Sequence, residues 1–176
     1  MLFRSRANGH PVPSLKVIDE IILELLQSGP DQAPCVRWGG TEVRRYRERA
    51  YILAATEAGP RAHLDWTLDA PLALQGGQLQ ARSSLGSGIK KGQVQDNVVE
   101  VRFRRGGEQL RPAGRRETHT LKKLFQDAGV PPWDRDVIPL IYVRGKLAAV
   151  SGYWVAEEFQ AGDDEPGWDI VFVRDD

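Results

Sequence analysis

Cysteine is almost missing from this chain. Cys35 stands alone among 176 residues, which excludes an internal disulfide framework and fits a reducing compartment. Histidine is scarce too: His10, His63 and His119 share no paired spacing with one another or with Cys35, so the ligand pattern of a zinc site is lacking. No long hydrophobic run exists. The longest, AYILAA at 50–55, falls far short of the roughly 20 apolar residues of a membrane span. The opening MLFRSRANGH has basic residues but no apolar core, so the expectation is no secretory signal, no membrane association and a cytoplasmic location. Net charge is absent as well, with 24 Lys plus Arg against 24 Asp plus Glu. At 41% hydrophobic residues, the composition belongs to a folded globular chain and not a disordered one.

The zero balance conceals segregation. Residues 102–156 carry 11 basic and 5 acidic groups, whereas residues 157–176 carry 1 basic and 8 acidic ones. Such asymmetry predicts a polyanion-facing surface beside an acidic tail that competes with the polyanion. A solvated basic face with a solubilising tail accounts for the same charges equally well. The neutral total weighs against nucleic acid, because nucleic-acid-binding domains are usually basic overall.

The hydrophobic pattern predicts an α+β chain in two parts. Ser14 caps a helix over 15–27, ended by Gly29 and Pro30, with Leu15, Ile18, Ile22 and Leu25 as its buried stripe. Strands at 35–38 and 42–53 follow, joined at Gly39-Gly40 as a hairpin and studded with Arg37, Arg44, Arg45, Arg47 and Arg49. Short apolar pieces at 64–68, 72–74 and 79–81 read as edge strands, and 83–93 reads as loop. The alternation of Val99, Val101 and Phe103 with charged residues predicts a half-buried strand over 98–104. A helix is expected at 119–128, with Leu121, Leu124, Phe125 and Ala128 inward and Lys122 and Lys123 outward. Gly129 and Pro131-Pro132 stop it. Strands at 138–143 and 146–155, turned at Arg144-Gly145, and a last one at 168–173 complete the pattern. The expected division is 1–60, a linker with edge strands at 61–97, and a second domain at 98–176.

Few residues offer chemistry. The GSGIKKG segment at 86–92 resembles a phosphate loop only faintly, since the glycine spacing and the following Ser or Thr are wrong. Asp163, Asp164 and Glu165 lack the alternating oxygen ligands of a calcium loop. What remains is equipment for phosphate: Arg111, Arg115 and Arg116 lie just before the helix carrying Lys122 and Lys123. Thr118 or Thr120 would cap that helix, whose first N–H groups favour anions. A capped helix with solvated cations is the competing reading.

The run LRPAGRRETHTLKKLFQDAGVPPWDRDVIPLIYVRGKLAAVSGYWV at 110–155 closely resembles the C-terminal domain of bacterial tRNA(Ile)-lysidine synthetases. The resemblance lies in Val101–Arg104, Gly114-Arg115, Leu121–Phe125, Val130–Asp136, Pro139–Tyr142, Gly145–Leu147 and Gly152–Val155. PVPS at 11–14, the helix after it and PCVRWGGTEVRRYR at 34–47 are similar to that family's middle, substrate-recognition domain. The resemblance implies a small, mainly helical domain with a β-hairpin. It implies a second, β-rich and sandwich-like domain with one main helix, shared with phenylalanyl-tRNA synthetase. It further implies an enzyme that activates C34 of a CAU-anticodon isoleucine tRNA with ATP and magnesium, then joins lysine to it. The Ser-Gly-Gly-x-Asp-Ser loop of the family's catalytic N-terminal domain does not occur in this sequence. The chain is therefore expected to be inactive alone, without cofactor, and to act with that catalytic domain as partner. The tRNA contacts are expected from Arg104, Arg105, Arg111, Arg115, Arg116, Lys122 and Lys123, with Arg44 and Arg45. Trp133 reads as core, and Arg135 with Asp136 as a local ion pair. A free-standing RNA adaptor and a protein–protein module are the alternative functions.

Overall fold

A computed structural model of the chain describes residues 11–28, 34–55 and 63–174. It divides into two units, Met1–Gly59 and Pro60–Asp176. The expected stop at Gly29 and Pro30 lies outside the described residues, as does His10.

In the first unit the helix α1 (Leu15–Gln27) is capped by Ser14, whose hydroxyl accepts from the Val17 N–H at 3.4 Å. Three antiparallel strands follow in the order β1 (Cys35–Trp38), β2 (Thr41–Tyr46) and β3 (Arg49–Ala54). The single strand expected over 42–53 is thus two strands, turned at Arg47-Glu48. Arg47 adopts φ +54° there, and its charge hid a turn that glycine usually marks. Among the described residues this unit is one helix and a three-stranded sheet, so the hairpin that the resemblance implied carries a third strand. The buried stripe of α1 also differs from expectation. Ile21 and Leu25 are buried with Val36 and Val43, and Val17 packs beside them. Leu15 is 80% exposed and Ile22 45% exposed, because a three-stranded sheet covers only a narrow strip of the helix.

The second unit contains two larger antiparallel sheets. Its elements run β4 (Leu64–Thr67), β5 (Leu72–Leu74), β6 (Gly77–Leu85), β7 (Ile89–Lys90), β8 (Val98–Arg102), β9 (Gln109–Leu110) and β10 (His119–Thr120). Then come α2 (Leu121–Asp127), α3 (Pro132–Arg135), β11 (Leu140–Val143), β12 (Lys146–Val150), β13 (Trp154–Val155) and β14 (Pro166–Arg174). One sheet has the order β13-β12-β11-β8-β4, the other β5-β6-β14-β7, and β9 with β10 makes a small ribbon. One hydrophobic cluster joins both sheets to α2, with Leu79 and Ile170, Val101 and Ile141, and Leu121, Leu124 and Phe125 among its members.

Three expectations for this unit need correction. The 79–81 piece is not an edge strand: β6 extends over nine residues and is paired on both sides. Gln78 and Gln80 flank the buried Leu79 at less buried positions, and Ser83 and Ser84, which read as loop, continue the same strand. The 83–93 loop contains β7, where Gly88 takes φ +76° and a Cβ would come within 2.3 Å of the Trp168 carbonyl oxygen. The acidic stretch is not a free tail, and the last strand expected over 168–173 is β14 within it. β14 pairs with β6 in unbroken register from Pro166↔Leu85 to Arg174↔Gly77. Asp169 accepts from the Ser87 hydroxyl, and Glu165 pairs with Lys90 at 3.3 Å. Removing residues 160–176 would dismantle a sheet and not merely unmask a basic surface.

Candidate nucleic-acid interface

The basic segment is built from a ribbon, a loop and a short helix. After β8 the chain turns at Gly106-Gly107, where the Glu108 carboxylate accepts from the backbone N–H groups of Arg105 and Gly106. The pairing of β9 with β10, His119↔Leu110 and Thr120↔Gln109, closes residues 111–118 into a loop. That loop is pinned along its length. The Ala113 N–H donates to the Val155 carbonyl at 2.9 Å, and Glu157 N–H donates to the Arg111 carbonyl at 2.9 Å. The Glu157 carboxylate in turn accepts from Gly114 N–H at 2.7 Å. Arg115 and Arg116 are therefore held out from a fixed backbone, not from a wandering loop.

The helix α2 begins at once from this ribbon. Thr120, not Thr118, caps it by accepting from Lys123 N–H at 3.3 Å. Leu121, Leu124 and Phe125 are buried, so the helix faces the core as expected. Ala128 is not part of that face; it is the exposed C-cap, one residue past the last helical turn. At seven residues the helix is too short to make its N-terminus a phosphate site, since few peptide dipoles align. The positive field comes from side chains.

Those side chains fall into two groups. Arg105, Arg111, Arg115, Arg116 and Lys122 are exposed and make no ion pair among the described residues. Lys123 pairs with Asp127 at 2.8 Å across one helical turn, with both groups well exposed; such a pair is weak and easily exchanged for another anion. The Asp127 carboxyl is held below its ordinary range by the Lys123 hydrogen bond, with the fields of Arg115 and His119 adding to it. Arg115 and Lys123 thus act on the same local surface. Around Asp127 the loop's Arg115 and the helix's Lys123 meet.

The remaining nominated arginines already have partners. Arg104 donates to Asp136 at 3.2 Å and is mostly covered. Arg44 donates to Glu42 at 2.7 Å. Arg45 donates to the Leu25 and Ser28 carbonyls at 2.6 and 2.7 Å, closing the C-terminal end of α1. Burial raises the pKa of Glu42, but hydrogen bonds from Arg44 and then Arg37 outweigh it and hold the carboxyl below its ordinary value. Arg135 is no partner of Asp136: its Nε donates inward to the Val130 carbonyl at 2.8 Å, leaving Asp136 to Arg104. Trp133 is half-buried on α3. In the 86–92 segment the Gly86 and Lys90 N–H groups are spent on the Glu165 and Phe159 carbonyls, which leaves no cradle for phosphate. Among the described residues, no group of three His, Cys, Asp or Glu is placed to hold a metal. No helix there is long and apolar enough to cross a membrane.

Comparison with known proteins finds two family matches along the chain. Residues 3–51 match the family described as the TilS substrate binding domain, and residues 99–172 match the TilS substrate C-terminal domain. A tRNA(Ile)-lysidine synthase of Coxiella burnetii is 39% identical over 166 residues, which is 93% of this chain and 37% of that protein. The chain belongs to the tRNA(Ile)-lysidine synthase family. Its counterpart from Methylococcus capsulatus is 40% identical over 86% of this chain and 35% of its own length. That of Legionella pneumophila strain Paris is 34% identical over 96% and 39%. The chain thus spans under two-fifths of the length of these lysidine synthase relatives. A solved structure titled "Crystal structure of TILS C-terminal domain" superposes with a TM-score of 0.50 at 20% identity, covering 65% of this chain and all of the other. That likeness establishes the α+β, β-rich fold.

Sequence reasoning missed the aromatic neighbours of the arginine loop, Tyr153 and Trp154. Their adjacency to Val155 gave a strand signal only; that Val155 pins Ala113 was decided by the tertiary fold.

Proposed function

We propose that this chain is the tRNA-gripping part of a tRNA(Ile)-lysidine synthase. It holds a CAU-anticodon isoleucine tRNA while a catalytic N-terminal domain uses ATP to attach lysine to C34. The observation that carries this reading is the pinned edge from Arg111 to Lys123, which presents exposed cations from a rigid backbone inside the stretch matched by the TilS substrate C-terminal domain. Cations on a fixed frame set the register of an RNA backbone without reading its bases. An RNA helix is recognised largely through its shape and phosphates, so this equipment suffices. Lacking the Ser-Gly-Gly-x-Asp-Ser loop, the chain alone binds no ATP or magnesium and forms no lysidine in this reading. Its place of work is the cytoplasm, where tRNA is modified.

The test is titration of the chain with that tRNA across a range of salt concentrations. Neutralising about three to five phosphates makes log affinity fall against log salt with a slope of roughly −2 to −5. An affinity indifferent to salt, or no binding in low salt, overturns the proposal.

A further inference from the structure

The second unit holds a cleft of about 490 Å³ beside the arginine loop. Pro112 and Ala113 of that loop form one wall, Tyr153 and Trp154 a second, and Trp168 and Asp169 a third, with Arg82 also at the lining. We propose that this cleft receives one unpaired nucleotide of the RNA whose backbone lies on the Arg111–Lys123 edge. The inference rests on the RNA reading above and adds a subsite to it.

Four features converge on an unpaired base. The volume falls within the range of about 300–1,000 Å³ usual for small-molecule sites, which accommodates a base and its sugar. The walls are aromatic. Tyr153 meets Phe125 at 90° and Trp154 at 41°, yet remains 43% exposed, so part of its ring is open to a ligand. Stacking on aromatic rings is how single-stranded bases are held, and paired bases in a duplex cannot offer their faces in this way. The charges of the lining cancel: among its described residues Asp169, whose carboxylate accepts from the Ser87 hydroxyl at 3.0 Å, is the one acid and Arg82 the one base, so the cleft carries no net negative charge against a nucleotide. Arg82 is its register partner on β6. Finally, Trp168 brings another indole to the lining, and the Lys91 ammonium lies 3.9 Å from its ring centroid, a cation beside the aromatic wall.

Position links the cleft to the cationic edge. Arg111 immediately precedes Pro112 in the chain, so the Cα atoms of an exposed cation and of a cleft-lining residue are about 3.8 Å apart. Two pins hold this arrangement: Ala113 to Val155 and Gly114 to Glu157.

The experiment uses the full chain and three RNA hairpins: one blunt, one with a three-nucleotide 3′ extension, and one whose extension is abasic. The abasic extension has the same charge and lacks only the bases. The base-bearing extension should bind about tenfold tighter than the abasic one. Tyr153→Ala should reduce that difference to within about twofold while leaving the blunt hairpin's affinity unchanged. Tyr153→Leu, which keeps apolar contact with Phe125 but has no ring face, should do the same if the alanine variant melts early. Arg115→Ala should weaken all three hairpins by one common factor. Equal affinity for base-bearing and abasic extensions overturns the subsite alone. A preference that survives both Tyr153 variants also overturns it. Failure to bind any hairpin at low salt overturns the RNA reading and the subsite with it.

Discussion

Two substitutions on α2, two residues apart, should have opposite consequences. Leu124 is 1% exposed at the centre of the helix, in the cluster that joins α2 to both sheets. Leu124→Ala removes three carbons there and leaves a cavity whose walls belong to separate elements and relax little. The expected cost is about 2–5 kcal/mol. For a unit of this size that lowers the melting temperature by roughly 6–25 °C, at about 3–5 °C per kcal/mol. Lys122 is exposed and makes no ion pair among the described residues. Lys122→Ala should change stability by no more than about 0.5 kcal/mol. It should instead weaken tRNA binding and reduce the steepness of the salt dependence by about one. Melting curves by circular dichroism, paired with tRNA titrations at two salt concentrations, separate the two effects. A Leu124→Ala protein that melts within 2 °C of the parent (about half a kcal/mol) would refute the packing argument. An unchanged salt slope in Lys122→Ala, with Arg115→Ala and Lys123→Ala likewise silent, would reduce the basic edge to a solvated face.

The first unit carries its own tests. Since the folded Glu42 carboxyl sits below its ordinary value of 4.5, its contribution is present above that value and is lost as pH falls through the lower folded pKa. The protection of the Val36 and Val43 amides, relative to their intrinsic exchange rates, should fall across that acid window in the parent and much less in Glu42→Gln, and an identical pH response in both would contradict the assignment. Arg45→Ala strips two hydrogen bonds from the carbonyls ending α1. It should destabilise that unit by about 1–3 kcal/mol, seen as early loss of helical signal, while leaving the salt slope for tRNA intact. Gly88→Ala should destabilise the second unit, because φ is +76° and the new Cβ meets the Trp168 carbonyl oxygen at 2.3 Å. Unaltered melting of that variant would mean that β7 and β14 are not closely opposed there.

Local patterning was enough to set the individual pieces. The Ser14 cap, the span of α1, the Gly39-Gly40 turn and the inward face of Leu121, Leu124 and Phe125 follow from periodicity and capping, which act over a few residues. The basic stretch and its family likeness were legible for the same reason, as ordered local patterns. Tertiary structure decided which charges remain available. Arg45 and Arg104 look no different in sequence from Arg115 and Arg116, yet the first two are engaged by Leu25 and Ser28 and by Asp136. Their partners lie about 20 and 32 residues away, beyond the reach of any local signal. The fate of the acidic C-terminal stretch was settled in the same way. Its charges alone describe a solvated tail, but alternate residues face the core, and β6, some ninety residues earlier, supplies the hydrogen-bonding edge that makes it β14. A strand acquires its structure from its partner, because its backbone N–H and C=O groups are satisfied only across the sheet.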